Sequence, residues 1–166
     1  MRVRAYVLIV SVALLGMSAG SKKATLTEGS NPGDLAPSIE FLEKDGQSIR
    51  FQNQAGRYTL IHFWAAYDAE SRMRNVLLAN KVATMGSDKV RLCAISLDER
   101  ESVFAETIKI DQLDHSSQYY MDEAVASKVS KKYHLNKGLR NFLIDDHGVI
   151  VATNVDADQL EQRFKK

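Results

Sequence analysis

The chain has 166 residues, 45% of them hydrophobic, and 22 basic against 21 acidic side chains give it a formal net charge of +1. This length fits one globular domain plus a short targeting segment, and the near-neutral charge, without a long basic run, provides no electrostatic basis for binding nucleic acid. The single cysteine, Cys93, excludes an intrachain disulfide and a zinc site made of paired cysteines.

The first twenty residues have the three parts of a secretory signal. Arg2 and Arg4 precede an apolar core over residues 5–15, and small residues follow up to Gly20. We expect residues 1–20 to be a signal peptide, because the core is too short to span a bilayer comfortably. Its end resembles a lipid-attachment box with glycine in place of the lipidated cysteine, so lipid anchoring is not supported. Cleavage would change the net charge to −1, and we expect a periplasmic or secreted protein without strong membrane binding.

A polar stretch and a predicted hairpin come next. Residues 21–33 are mostly small or polar and are predicted to be a linker, so that the domain would extend over residues 34–166. Apolar side chains in two short runs, 39–42 and 49–51, flank an Asp-Gly turn at residues 44–46. Asp-Gly between two β-runs is a hairpin signal.

The stretch Tyr58–Arg72 carries the strongest local signals. Its first half, Tyr58–Trp64, is apolar and rich in β-formers apart from His62, which predicts a buried strand with a hydrogen-bonded histidine. Asp68 is a good N-cap residue, and the pattern after it predicts a helix that ends before Gly86.

The rest of the chain alternates between predicted strands and helices. The apolar run Val90–Leu97 predicts a second buried strand, in which Cys93 would behave as a small hydrophobic residue. Asp98 and Ser102 are candidate caps for the next helix. The remaining predicted elements are a short strand at 119–120, a helix over 122–133, a hairpin of 141–145 and 149–153 with its turn at 146–148, and a last helix Ala157–Phe164 begun by Asp156. This order predicts an α/β domain with a mixed sheet.

Between the central strand and its helix the chain reads Phe63–Ala65, then Tyr67, Asp68, Ser71 and Arg72. This order resembles the active-site segment of the thioredoxin-like superfamily, in particular of periplasmic thiol-disulfide oxidoreductases of the TlpA/ResA type (AhpC/TSA-like), which reads FWA-x-W-C-x-x-C-R. Asp68 and Ser71 stand at the two cysteine positions. The resemblance implies a thioredoxin-like fold, with a mixed central β-sheet flanked by helices and an added N-terminal β-hairpin.

Two further segments carry the same resemblance. Gly33–Pro37 reads GDLAP and is similar to the GDxAPxF start of these domains. Tyr133–Asp145 follows the family frame Y-x-V-x-G-x-P-T-x-F-L-I-D, with Leu139 at the position of the cis-proline that faces the thiols. A cis peptide before a residue other than proline costs about 3 kcal/mol, so the bond before Leu139 is predicted to be trans.

The residues at the thiol positions decide the functional hypothesis. Disulfide exchange needs a low-pKa thiolate at a helix N-terminus and a second, resolving thiol, and neither aspartate nor serine can replace them. The leading hypothesis is therefore a thioredoxin-like envelope protein that has lost redox activity and acts as a binding or scaffold module. We expect no catalytic residue, metal or cofactor, and a peptide or an envelope protein as partner. The predicted binding residues are Trp64, Tyr67, Asp68, Ser71 and Arg140, with Leu139 beside them.

Three alternatives stay open. Cys93 could be the thiol of an oxidoreductase or peroxidase, which requires exposure and an electropositive setting. Asp68 and Glu70 could form a hydrolase or metal site with a histidine such as His62, although no nucleophile elbow or phosphate loop is present. The protein could also be a structural subunit of an envelope assembly, which a contiguous exposed apolar patch would favour. The acidic and histidine residues at 145–147 are interpreted as turn residues.

Overall fold

The computed structural model describes residues 26–42, 48–50, 55–86 and 88–165. The predicted signal peptide, residues 1–20, and the turn at residues 44–46 lie outside these ranges. Within the described ranges, no helix combines the length and the apolar character that crossing a membrane requires.

The described residues form seven strands, four α-helices and two short 3₁₀ helices, His115–Ser117 and Leu135–Lys137. The strands are β1 Glu40–Leu42, β2 Ser48–Arg50, β3 Tyr58–Trp64, β4 Val90–Ser96, β5 Gln118–Tyr120, β6 Asn141–Ile144 and β7 Ile150–Thr153. The helices are α1 Ala69–Met85, α2 Glu101–Ile110, α3 Glu123–Lys132 and α4 Ala157–Phe164. Their order confirms the predicted α/β class, including the β1–β2 hairpin.

The main sheet has five strands in the order β5-β4-β3-β6-β7. Strand β3 pairs parallel with β4 and antiparallel with β6, so the sheet is mixed, as predicted. The register places Trp64 opposite Ser96, which are the last residues of β3 and β4. The turn after β3 and the loop after β4 therefore leave the sheet side by side.

Alternating side chains of β3 divide the core between the two faces of the sheet, as the period of two along a strand requires. Phe63 lies on the α3 face, where its ring centroid is 5.1 Å from that of Tyr133. Leu60 and Trp64 lie on the opposite face. The buried side chains that cover this second face from α1, α2 and α4 are Leu78, Phe104, Ile108 and Leu160.

The segment before β1 is hydrogen-bonded to the domain from residue 27 onwards, although residues 21–33 were predicted to be a linker. The Leu35 N–H donates to the Thr27 carbonyl at 2.9 Å, and the Gly33 N–H donates to the Ile150 carbonyl at 2.8 Å. Ser30 is buried, with its hydroxyl 2.9 Å from His134 Nδ1. Small polar residues are typical of linkers, but here they supply the groups that fix this segment against β7 and α3.

Candidate functional site

The turn between β3 and α1 closes on itself through Asp68 and Ser71. Asp68 is the N-cap of α1, and its Oδ1 accepts the Ser71 N–H at 2.7 Å. The Ser71 hydroxyl donates to the Asp68 carbonyl at 3.1 Å and accepts the Ala65 N–H at 3.3 Å. The aspartate thus satisfies a free backbone donor of the first helical turn and places negative charge at the positive end of the helix dipole. Ser71 is buried and directed inwards.

The buried histidine of β3 lies beneath this turn. His62 Nε2 is 2.9 Å from the Ser71 carbonyl oxygen, which confirms the predicted hydrogen-bonded strand histidine. Burial lowers the pKa of His62 from 6.5 to about 4, while the bond to the Ser71 carbonyl acts in the opposite direction. Among the described residues, its Nδ1 has no hydrogen-bond partner. Glu70 forms an exposed ion pair with Arg74 at 2.7 Å. The hydrogen bonds of these groups therefore do not join Asp68, Glu70 and His62 into one site.

A third carboxylate, that of Asp98, was predicted to cap α2 but instead holds the turn from the side. Asp98 is buried, and its two oxygens lie 2.9 and 3.2 Å from the Ala66 backbone nitrogen. It also accepts the Ser96 hydroxyl at 2.7 Å. The prediction that Asp98 or Ser102 caps α2 is wrong, because the N-cap is Arg100, which makes no side-chain cap bond. The neighbouring ends of β3 and β4 bring the Asp98 side chain to the turn instead.

The two predicted aromatic binding residues differ in exposure. Trp64 has no exposed surface and packs on Phe104, with ring centroids 6.1 Å apart, so it is a core residue rather than part of a binding surface. Tyr67 is 75% exposed at the tip of the turn. Partial burial raises the pKa of Tyr67, and the carboxylates of Asp98, Asp68 and Glu99 raise it further because they would repel a phenolate.

The segment at the family proline position lies next to the turn. The Phe63 N–H donates to the Arg140 carbonyl at 3.1 Å, which keeps Leu139 near the end of β3. All described peptide bonds are trans, as predicted for the bond before Leu139. Arg140 Nη2 donates to the carbonyls of Tyr133 and His134, at 3.2 and 3.4 Å, at the end of α3. The guanidinium therefore stabilises the end of α3.

A groove of about 580 Å³ runs from Tyr67 along one side of α3, and we call it the α3 groove. One wall is the turn and the loop after β4, and the other is the α3 face that carries residues 123, 126, 127, 130 and 131. The residues that line it are Tyr67, Leu97–Glu99, Glu123, Ala126, Ser127, Ser130, Lys131, His134–Asn136 and Leu139. Of the predicted binding residues, only Tyr67 and the neighbouring Leu139 line this groove.

A larger hollow of about 830 Å³ lies at the opposite end of the sheet, between the beginning of β4 and the second half of α1. Its lining includes Val90 and Arg91, which begin β4, together with Ala79 and Ala83 of α1. In open α/β sheets, ligands bind at the carboxyl ends of the parallel strands. We therefore take the α3 groove, which is at that end, as the candidate site.

Cys93 lies in the middle of β4, opposite Ile61 of β3. It has no exposed surface, and burial raises the pKa of its thiol to about 12. The nearby Arg91 and Arg57 guanidinium groups act in the opposite direction but do not outweigh burial. This is the environment predicted for a small hydrophobic residue, and it lacks the exposure that a reactive thiol needs.

The turn between β6 and β7 brings together Asp145, Asp146 and His147, with potential ligand atoms within 4.8 Å of one another. Asp145 Oδ1 accepts the N–H groups of His147 and Val149, both at 2.9 Å. Asp146 accepts the Gly56 N–H at 2.9 Å and pairs with the His147 ring at 2.8 Å. These bonds have the form of a hairpin turn stabilised by its own side chains.

Comparisons with known proteins agree with this architecture. Residues 32–153 match the model of the AhpC/TSA family. A thioredoxin-like protein from Parabacteroides distasonis is 56% identical, with a TM-score of 0.77 over 86% of this chain and 100% of that one.

Two more distant structures show the same fold. A thiol:disulfide interchange protein from Bacteroides sp. is 24% identical, with a TM-score of 0.68 over 83% of this chain and 88% of that one. StoA from Bacillus subtilis is 22% identical, with a TM-score of 0.60 over 80% and 97%. Among curated proteins, none matches the chain.

Proposed function

The chain belongs to the AhpC/TSA family, with the thioredoxin-like fold of thiol-disulfide oxidoreductases, and we propose that it is a redox-inactive member that acts as a binding module in the cell envelope. The observation that carries this proposal is that Asp68 and Ser71, which bear oxygen rather than sulfur, occupy the positions of the two family cysteines and are hydrogen-bonded to each other. Asp68 and Ser71 exchange hydrogen bonds with each other's backbone. Neither side chain can form the mixed disulfide on which thiol exchange depends.

The position of Cys93 supports the same proposal. A thiol with a pKa of about 12 is ionised to about one part in ten thousand at pH 8, and the thiolate is the nucleophile. Cys93 also has no exposed surface and no second cysteine in the chain to resolve a mixed disulfide. A redox cycle would therefore require both opening of the sheet and an external thiol.

An extracytoplasmic location is part of the proposal. It is supported by the basic, apolar and small-residue order of residues 1–20, which is typical of secretory signals. Two solved structures of similar fold are described as thiol:disulfide interchange proteins, and protein disulfides persist mainly in oxidising compartments such as the bacterial periplasm. Glycine at position 20 favours release from the membrane rather than lipid attachment.

A reduction assay on the purified domain tests the proposal. The unmodified chain should reduce a fluorogenic peptide disulfide no faster than the Cys93→Ser variant does. The Asp68→Cys/Ser71→Cys double variant, which restores both thiols at the N-terminus of α1, is the positive control, and Asp68→Cys alone is its single-thiol match. Turnover by the unmodified chain that is lost in Cys93→Ser would overturn the proposal.

A second candidate function, a subunit of an envelope assembly, is favoured by exposed apolar side chains near the turn. Met73, Leu77 and Ile110 are each more than half exposed. Met73 and Leu77 lie one turn apart on α1. Ile110 lies near them, because an ion pair between Arg72 and Asp111, with contacts of 2.6 and 2.7 Å, joins α1 to the end of α2. Sedimentation of the unmodified chain and of the Met73→Ser/Leu77→Ser variant tests this function. If it is correct, the unmodified chain forms a concentration-dependent oligomer and the variant does not.

A further inference from the structure

We propose that the hollow at the beginning of β4 binds a small anionic ligand with an apolar body, of the class of a medium-chain aliphatic carboxylate. This hollow and the α3 groove lie at opposite ends of the sheet, so the inference concerns a second site and goes beyond the proposed function. It is tested without any redox measurement, so the two can fail separately.

The size of the hollow suits a small molecule. Its volume is about 830 Å³, and ligand sites in proteins usually measure about 300–1,000 Å³. The hollow forms where β5 does not yet accompany β4, because the two strands pair only from Ala94 onwards. Beside Val90–Leu92 the space is bounded instead by the second half of α1 and by the segment of residues 112–117.

The floor of the hollow is apolar. Val90 and Leu92 of β4, together with Leu113 from the loop after α2, are buried members of one core cluster. Val82 packs against the same cluster from α1, and Ala83 beside it is exposed and offers only a methyl group. An aliphatic chain on this floor would itself leave water, together with the remaining surface of Val82 and Ala83.

Positive charge predominates around the hollow. Among the residues that line it, the charged groups are the guanidinium groups of Arg57 and Arg91 and the carboxylate of Asp114. Asp114 Oδ1 accepts the Ser116 N–H at 2.9 Å, and its Oδ2 accepts the Ser116 hydroxyl at 2.7 Å. This carboxylate is therefore engaged by its own turn, whereas an arriving anion would meet two cationic groups that suit it.

Two successive hydrogen bonds place the Arg91 guanidinium at one wall of the hollow. Its Nη2 donates to Tyr119 Oη at 3.3 Å, and this hydroxyl donates to the Ser116 carbonyl at 3.3 Å. Ser116 belongs to the 3₁₀ helix that forms this wall. The Ser117 hydroxyl and the Gln112 amide also line the hollow and are further donors that an anion can use.

The Arg57 guanidinium belongs to the same region. Arg57 directly precedes β3, and the strand register pairs the next residue, Tyr58, with Val90, which precedes Arg91. Burial raises the pKa of the Cys93 thiol, and the positive charges of Arg91 and Arg57 both oppose that rise. The two guanidinium groups therefore lie within electrostatic range of one sulfur atom, which brings two cations to one part of the hollow.

Amide chemical shifts of the isotope-labelled chain measure the binding of three probes that share an eight-carbon chain: octanoate, octanol and octylammonium. Octanoate should bind about two- to tenfold more tightly than octanol, the preference that one or two partly exposed charge pairs generate. Octylammonium should bind more weakly than octanol. The shifts should concentrate at residues 79–83, 90–92 and 112–117. Octanoate that binds no more tightly than octanol, that does not saturate below about 5 mM, or that shifts other regions instead would overturn the inference.

Probe length and a filled hollow test the apolar floor. Hexanoate should bind more weakly than octanoate, by up to about fourfold for each CH₂ removed. Ala83→Phe, which adds a phenyl group to a residue that lines the hollow, should weaken octanoate and octanol alike by severalfold. Ala105→Phe makes the same change at an exposed alanine of α2 that does not line it, and should leave both unchanged. Equal effects of the two variants would contradict the location.

Arginine variants test the cationic wall. Arg91→Gln should lower the affinity for octanoate toward that for octanol and leave octanol binding unchanged. Arg57→Gln gives the same readout through the other guanidinium group if Arg91→Gln does not fold. Arg100→Gln, the same substitution at the exposed N-cap of α2, beyond the opposite end of β4, should keep the preference. A preference for octanoate that is unchanged in both Arg57→Gln and Arg91→Gln would contradict the assignment.

Discussion

Acidification should destabilise this protein through the buried histidine beneath the turn. The pKa of His62 is about 4 in the folded protein, against 6.5 for an ordinary histidine. Between these values the unfolded chain binds a proton that the folded chain does not, so stability is complete above pH 6.5 and falls as the pH is lowered toward 4. The difference of about 2.5 between the two pKa values corresponds to a loss of about 3 kcal/mol in the free energy of unfolding.

Urea unfolding at pH 7, 6, 5 and 4 measures this effect, and fluorescence of the single tryptophan, Trp64, which is fully buried, is a suitable signal. Carboxylates also titrate in this range, so the readout is the difference from a His62→Gln variant. Glutamine can donate to the Ser71 carbonyl but does not ionise. The stability advantage of the unmodified protein over the variant should shrink by about 3 kcal/mol between pH 7 and pH 4.

His115→Gln, which makes the same substitution at an exposed position, is the matched control. A loss of packing in His62→Gln would shift its stability by a constant amount and would not alter the slope. Curves for the unmodified protein and His62→Gln that stay parallel within about 0.5 kcal/mol would refute the assignment of acid sensitivity to His62.

Three further predictions concern the turn and the core, each measured by urea unfolding at pH 7. Asp68→Ala should lower the free energy of unfolding by about 1 kcal/mol, the usual contribution of an N-cap, and no loss would contradict the capping role. Asp98→Ala should lower the free energy of unfolding more, by about 2–3 kcal/mol, because it leaves the partly buried Ala66 N–H and the buried Ser96 hydroxyl without their partner. A smaller loss than in Asp68→Ala would reverse this ranking. Leu78→Ala should lower the free energy of unfolding by about 2–5 kcal/mol, whereas Leu77→Ala, at the exposed neighbouring position, should lower it by less than about 0.5 kcal/mol. Equal losses would contradict the assigned helix orientation.

Local sequence patterns were sufficient to predict the framework of the site. The short apolar stretch Tyr58–Trp64, rich in β-formers, predicted a buried strand, and Asp68 followed by a helical pattern predicted where α1 begins. These signals are short-range, so they do not depend on how the sheet is assembled. The β6–β7 hairpin and the capping of α4 by Asp156 were predicted for the same reason.

The parts that sequence could not provide depend on contacts between distant residues. Asp98 was assigned to a helix cap because its neighbours in sequence suggested one, whereas the parallel pairing of β3 and β4 brings it to the Ala66 backbone. Trp64 was assigned to a surface, but the pleat directs it into the core with Leu60. The acidic pair Glu99 and Glu123, 24 positions apart, becomes part of one groove only when α3 packs on the sheet. The sequence offered one hint of this arrangement: Asp98 is an acidic residue directly after the predicted buried strand Val90–Leu97.

The proposed loss of redox chemistry is tested most directly by a thiol titration of Cys93. A disulfide reagent such as dithiobis-nitrobenzoate is added at pH 8 to the native chain and to the chain in 6 M guanidinium. We expect one thiol per chain to react at once in denaturant and essentially none over the same time in the native protein, because the side chain is buried and its pKa is about 12. A native thiol that reacts as fast as the denatured one would place Cys93 at an accessible site and contradict the account of a redox-inactive binding module.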